Sequence, residues 1–198
     1  MADLITVQEY KNAEGMNGQK EDQRLDIIVP QVSDLAKKYC GTSFIDHYSS
    51  AKTETFSIKD KYTTTVIVSE SPLVTINSVK ERTQYSEDYK TLSTSDYEYY
   101  VDTASDSIIR TNKSGSHIYW ASGVGSVQVE YTAGYSATPS DLKLALFDLV
   151  TYYLKDEHKE RRTIAGATLQ NQGTSGVRDN TDFPDHIKRV LDLYRVII

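Results

Sequence analysis

Val127-Gln128-Val129-Glu130-Tyr131-Thr132, running on into Ala133-Gly134-Tyr135, decides how this chain folds. Val127, Val129 and Tyr131 alternate with Gln128, Glu130 and Thr132. A period of two is that of a strand with one face in a core and the other in solvent. The same period begins near Thr53. Residues 53–59 and 62–69 are rich in β-branched side chains, and Asp60-Lys61 between them predicts a hairpin. Residues 74–82, 97–101 and 107–111 extend the series. The segment 51–135 therefore reads as an antiparallel sheet or sandwich.

Helical periods flank it on both sides. Thr6-Val7-Gln8-Glu9 fits a capping box, in which Thr6 and Glu9 satisfy each other's free backbone donors, with Gly15 as the stop. Leu25, Ile28, Val29, Val32, Leu35, Ala36 and Tyr39 recur at helical spacing, and Gly41 closes the run. Pro30 lies inside it and predicts a kink in one helix. After the strands, Thr138-Pro139-Ser140-Asp141 sets a cap, a first-turn proline and an acidic residue ahead of a stripe of Leu142, Ala145, Leu146, Leu149, Val150 and Tyr153. Residues 163–181 are glycine-rich and polar without a period, which predicts a long loop or mobile arm. Phe183-Pro184-Asp185 then opens a last helix, with Ile187, Val190, Leu191, Tyr194, Ile197 and Ile198 on one face. The fold class expected is α+β: a helical bundle from the N- and C-terminal helices with an inserted antiparallel sheet or sandwich. The divisions are 1–50, 51–135 and 136–198, acting as one functional unit.

Composition narrows the function classes. The 198 residues suit one ordinary domain, or a compact domain with an insertion. One cysteine excludes a disulfide framework and a cysteine-cage metal site. With 28 acidic against 22 basic residues the formal charge is -6, which argues against gripping nucleic acid through its phosphates. The N-terminus has neither the cationic nor the apolar region of a secretory signal, and no apolar run is long enough for a bilayer. A soluble intracellular product with no membrane partner is expected, and Asn112-Lys113-Ser114 then reads as a polar turn, not a glycosylation site.

Little in the sequence points to catalytic chemistry. His47, His117, His158 and His186 are scattered and form no metal-ligand pair. Cys40 ends an amphipathic helix, as a buried small hydrophobe does. The segment 123–128 begins like a dinucleotide loop but has Gln128 in place of the third glycine and precedes a strand. Asp179, Asp182 and Asp185 lack calcium-loop spacing, so Asp182 and Asp185 read as cap and first-turn residues. Glu87-Asp88 and Asp96-Tyr97-Glu98 read as polar outer faces. No catalytic residue, cofactor or metal is assigned. The unusual number is tyrosine, 15 against 4 phenylalanines and 1 tryptophan. Tyrosine buries its ring while its hydroxyl tolerates water, so Tyr97, Tyr99 and Tyr100 serve either β-propensity or an interface. Tyr97 and Tyr99 are expected on one strand face and Tyr100 on the other.

The order of segments resembles the phage head–tail connector family, also called adaptor or head-completion proteins. The helix 25–39 ending in Tyr39-Cys40-Gly41-Thr42-Ser43-Phe44 and the entry Ser71-Pro72-Leu73-Val74 carry part of it. Val127 to Tyr135, Pro139 with its helix, and Phe183-Pro184 leading to Val190-Leu191-Asp192-Leu193-Tyr194-Arg195 carry the rest. Pro30 departs from the pattern, and the β insertion is longer than in the shortest members.

The resemblance implies a structural virion protein without catalysis, sitting at the head–tail junction and assembled in the bacterial host cytoplasm. It implies a dodecameric ring of neighbouring copies under the portal protein, the next neck or tail completion protein below, and DNA passing through without sequence-specific binding. Phe183, Ile187, Tyr194, Arg195, Ile197 and Ile198, with Tyr97, Tyr99 and Tyr100, are the candidate portal or neighbour contacts. The reading from another class is a monomeric β-sandwich that binds carbohydrate on the tyrosine-rich surface 85–102.

Overall fold

The computed structural model describes residues 2–156 and 184–196. The arm 163–181 and residues Asp182, Phe183, Ile197 and Ile198 lie outside the described residues. The chain divides into two compact units. One gathers residues 2–41, 138–156 and 184–196, and the other is 42–137, inserted between them in sequence.

The first unit is helical: α1 (Val7–Ala13), α2 (Asp22–Cys40), α3 (Ser140–Leu154) and α4 (Asp185–Asp192). The capping box forms as the sequence predicts, with Glu9 N donating to Thr6 Oγ1 at 3.1 Å and Thr6 N to Glu9 Oε2 at 2.8 Å. α2 passes through Pro30 as one helix and stops at Gly41, whose φ of 72° is left-handed. Leu25, Val29, Val32, Ala36 and Cys40 form its buried stripe, while Ile28, Leu35 and Tyr39 flank it, half covered. Leu142, Ala145, Leu146, Leu149 and Val150 face inward from α3, and Ile187 and Leu191 from α4. Each fully buried leucine or isoleucine contributes ~2 kcal/mol by leaving water.

Two expectations at helix ends need correction. Thr138 does not cap α3: its hydroxyl donates to Leu4 O instead, and Pro139 holds the N-cap position without a side-chain cap. The last helix also does not run on to the apolar chain end. It stops at Asp192, and Val196 N donates to Cys40 O at 2.9 Å. That bond satisfies one of the free carbonyls at the end of α2.

The second unit holds seven strands: β1 (Lys52–Ile58), β2 (Thr65–Ile67), β3 (Leu73–Glu81), β4 (Lys90–Thr91), β5 (Tyr99–Asp102), β6 (Ser107–Arg110) and β7 (Gly123–Ala133). They form two antiparallel sheets, ordered β1-β7-β3-β4 and β2-β6-β5. Val127, Val129 and Tyr131 of β7 are fully buried in a core shared with Val66, Ile108, Val79 and Trp120. The molecule is thus a mixed α+β fold.

The predicted hairpin does not form. β1 pairs with β7, placing Phe56 opposite Val127, whereas β2 pairs with β6 in the other sheet, placing Val66 opposite Ile108. Asp60-Lys61 lacks the glycine that a tight hairpin turn favours. Asp60 Oδ1 instead accepts Tyr62 N at 2.9 Å, making an Asx turn that lets the chain cross between sheets. At the other end of β7, Gly134 has φ 100°, and a Cβ there would stand 2.0 Å from Phe44 O. Tyr135 N donates to that same oxygen at 2.7 Å, so the Ala-Gly-Tyr sequence seats the 44–47 segment against the strand.

Candidate assembly surfaces

A cluster of charged side chains lies inside the β unit. Lys52 and Glu54 share one face of β1, two residues apart, and Glu70 precedes β3. Lys52 Nζ lies 3.0 Å from Glu54 Oε1 and 3.1 Å from Glu70 Oε1, and donates to Ser69 Oγ at 2.6 Å. Glu70 Oε2 accepts Thr42 Oγ1 at 3.0 Å and both Ser43 N and Ser43 Oγ at 2.9 Å. Glu54 accepts Ser69 N at 3.0 Å and the Ser69 hydroxyl. Glu70 N donates to Tyr131 OH at 3.3 Å.

Burial pushes both carboxyls toward protonation, but their hydrogen bonds outweigh it and hold Glu54 and Glu70 below the ordinary 4.5. For Lys52 burial works the other way, yet the two carboxylates raise it above the ordinary 10.5. Tyr131 is pushed well above 10.0 by burial, then by the charge of Glu54. No member is poised to exchange a proton near neutral pH, so the cluster fastens the 42–43 and 69–70 segments to the sheet. The sequence shows Lys52 and Glu54 at strand spacing, but Glu70 carries no local signal.

A second pair ties the sheets of this unit together. Arg110 on β6 meets Glu81 on β3 with Nη2 at 3.1 Å and Nε at 3.2 Å, and Glu81 Oε1 accepts Ala121 N at 2.7 Å. The guanidinium lies 5.7 Å from the Trp120 ring. Arg82 is held similarly, between the rings of Tyr85 and Tyr89 at 4.5 and 4.7 Å, while its Nε donates to Gly125 O.

The three candidate tyrosines separate. Tyr97 is not on a strand: its φ of 58° puts it in a turn, where its carbonyl accepts Thr111 Oγ1, and its ring is exposed. It therefore does not share a strand face with Tyr99, because β5 begins only at Tyr99. Tyr99 packs against the core, and burial raises its phenol. Tyr100 points the other way and is exposed.

The C-terminal candidates separate as well. Ile187 is buried in the helical unit and is a core residue. Tyr194 is half buried and donates its hydroxyl to Asp141 Oδ1 at 2.6 Å. Arg195 is exposed, with its guanidinium 5.7 Å from the Tyr39 ring. Cys40 donates to Leu191 O at 3.4 Å, and burial with the nearby Asp192 charge pushes its thiol up to about 12. It is packing, not a nucleophile. Among the described residues no group of His, Cys, Asp and Glu could hold a metal ion, and no helix is long and apolar enough to cross a membrane.

Comparison with known proteins gives a consistent result. The family model described as Head completion protein matches residues 3–197. The head completion protein of Escherichia phage T5 is 38% identical over 73 residues, covering 36% of this chain and 39% of that relative's length. Among solved structures, a chain from the neck of an empty gene transfer agent particle, with C6 symmetry, superposes with a TM-score of 0.60 at 14% identity, covering 98% of this chain and 91% of that one. A chain from the neck of the native particle, with C12 symmetry, gives 0.55 at 13% identity, covering 100% and 95%. These likenesses concern the fold.

Proposed function

The chain belongs to the head completion protein family, and from that premise we propose that it is a structural virion protein forming a ring under the portal. In this reading it connects the head to the neck or tail, extends the DNA channel and completes the head. The observation that carries the proposal is the family match along residues 3–197. Its fold likeness to neck chains of particles with C6 and C12 symmetry supports a rotationally symmetric assembly of neighbouring copies. The T5 relative, a head completion protein, supports a place in the virion; in this reading the chain is assembled in the host cytoplasm and ends at the head–tail junction.

Closing a ring needs a heterologous interface, one patch meeting a different patch on the next copy. The portal protein would be met from one side and the next neck or tail protein from the other. Tyr194 and Arg195, with Phe183, Ile197 and Ile198, are the proposed portal contacts. DNA would pass without sequence-specific binding, since a wall carrying part of the -6 charge repels phosphates. The test is to mix the full chain with isolated portal rings of the phage that encodes it and image the product. A ring of added density on one portal face is expected; portals that stay bare at saturating protein would end the proposal.

A further inference from the structure

An asparagine side chain is open to attack by the backbone nitrogen of the next residue, and a following glycine, having no Cβ, hinders that approach least. Six asparagines occur in the sequence, and only Asn17 precedes a glycine. The structure leaves this dipeptide uncommitted. Asn17 and Gly18 lie between α1 and α2, outside any helix or strand, and both are exposed. Among the described residues no hydrogen bond holds the Asn17 amide or the Gly18 N–H. The chain on either side is tied. Met16 N donates to Lys11 O at 2.9 Å, Asp22 N donates to Gln19 O at 3.2 Å, and Lys11 Nζ meets Asp22 Oδ1 at 2.7 Å. The other described asparagines are placed differently. Asn12 sits in α1, with Oδ1 accepting Gln8 Nε2 at 2.8 Å, and Asn77 lies within β3. Asn112 Oδ1 accepts Ser114 N at 3.0 Å, Ser114 Oγ at 2.7 Å and Ser116 N at 3.1 Å.

We propose that Asn17-Gly18 is a site of spontaneous deamidation, giving aspartate and isoaspartate at position 17. The Gly18 backbone nitrogen loses its proton to hydroxide and attacks Asn17 Cγ. The new N–Cγ bond closes a succinimide ring as the Cγ–Nδ2 bond breaks, and Nδ2 takes a proton from water and leaves as ammonia. Water then opens the ring. Attack at Cγ breaks its bond to the Gly18 nitrogen and leaves aspartate. Attack at the Asn17 backbone carbonyl breaks the original peptide bond instead and leaves isoaspartate, with the chain routed through Cγ. Nothing is oxidised or reduced. Each converted copy gains a negative charge, and isoaspartate lengthens the backbone path between α1 and α2 by a carbon atom. The reaction needs only this chain and water, so it stands apart from the ring reading.

The test keeps the full folded chain in warm, mildly alkaline buffer, quenches samples with acid, and follows the tryptic fragment 12–20 by mass spectrometry. The mass gain of an amide turned to a carboxyl is expected at position 17, in two separable products. One of them should accept a methyl group from isoaspartyl methyltransferase. Gly18→Ala should slow the conversion about tenfold, because a Cβ hinders the attacking nitrogen. The fold accommodates that methyl: a Cβ on Gly18 would meet nothing within 4 Å, and its φ is not left-handed. Asn112 in the same samples should keep its amide. A synthetic peptide of residues 12–20 sets the rate without a fold, and the folded chain should stay within about tenfold of it. A folded chain slower than that would overturn the proposal by showing that the structure protects the site. An Asn17 that converts no faster than Asn112, an unchanged rate in Gly18→Ala, or aspartate without isoaspartate would overturn it too. None of these results touches the ring test on portals.

Discussion

The helical unit and the β unit treat buried polar groups in opposite ways. In the helical unit the interior is Leu25, Val29, Leu146, Leu149, Ile187 and Leu191, and its buried Ser33, Thr138 and Lys37 each reach a backbone group. Ser33 Oγ accepts Leu4 N, the Thr138 hydroxyl donates to Leu4 O, and Lys37 Nζ donates to Ala2 O. Among the described residues this unit buries no carboxylate, whereas the β unit buries Glu70 and half-buries Glu54 beside Lys52. The difference follows from how each unit closes its backbone bonds. A helix satisfies nearly all of its own, so its core can remain apolar. The β unit draws the irregular segments 42–43 and 69–70 inward, and their N–H and hydroxyl donors need acceptors. A carboxylate supplies two oxygens with about four sites, enough for Thr42, Ser43 and Lys52 together.

That contrast can be broken first at two glycines. Gly134 of the β unit and Gly41 of the helical unit both have positive φ, but only Gly134 faces a backbone oxygen at impossible range. Gly134→Ala should destabilise the β unit by ~4 kcal/mol, through strain plus displacement of the 44–47 segment. Gly41→Ala should cost only ~1 kcal/mol, since nothing lies near its Cβ. Chemical unfolding followed by fluorescence separates the units, because the single tryptophan, Trp120, is buried in the β unit. Equal costs at the two sites would contradict the account of Gly134. Next in size is Glu70→Ala, expected to cost about 3 kcal/mol by stranding Ser43 N and the Thr42 hydroxyl. Its fluorescence transition should move to lower denaturant while the far-ultraviolet helix signal moves much less.

Acid should act on the same place, more gently. Glu54 and Glu70 titrate below 4.5 in the folded chain. Their contribution is therefore complete above the unfolded value near 4.5 and is lost as pH falls through their folded values. Glu9 and Asp141 of the helical unit are also lowered, chiefly by Lys143 and by the Tyr194 hydroxyl respectively, but both work near the surface, where water screens them. Below pH 4.5 the Trp120 melting temperature should thus fall faster than that of the helix signal, and Glu70→Gln should reduce the difference. Parallel curves would mean that the buried cluster is not what makes the β unit acid-sensitive.

What could be read from the sequence divides along the same line. The Val127–Tyr131 alternation, the α2 stripe and the Thr6–Glu9 box are local patterns, and each forms. Partners distant in sequence were not legible. β1 and β2 look like a hairpin because they are adjacent, yet each finds its mate far along the chain, in β7 and β6. Glu70 has no period around it, and its role appears only when 42–43 and β1 come together. Of the candidate contacts, the excess of tyrosine singled out Tyr97, Tyr99 and Tyr100 but could not sort them. A positive φ at Tyr97 and the start of β5 decide which ring faces where. Ile187 has the same helical spacing whether its stripe meets a partner or its own core, and the core takes it.

The smallest expected effect tests whether the two units report separately. α1 has only seven residues, too few to persist without its cap and its tertiary contacts. Thr6 Oγ1 accepts Glu9 N, and Glu9 in turn bonds Thr6 N and, through Oε1, Lys143 Nζ at 2.6 Å. Thr6→Ala removes the acceptor and should cost ~1 kcal/mol. Glu9→Gln keeps the reciprocal bond to Thr6 N but gives up the charge facing Lys143; that pair is partly exposed, so the loss should be ~0.5 kcal/mol. Both changes should appear in the helix signal and leave the Trp120 transition in place. A Trp120 transition that shifts with either variant would show that the units unfold as one. The cost of Glu70→Ala would then belong to the whole chain, and the contrast between an apolar helical interior and an ion-fastened β interior would describe two styles of packing within one cooperative structure.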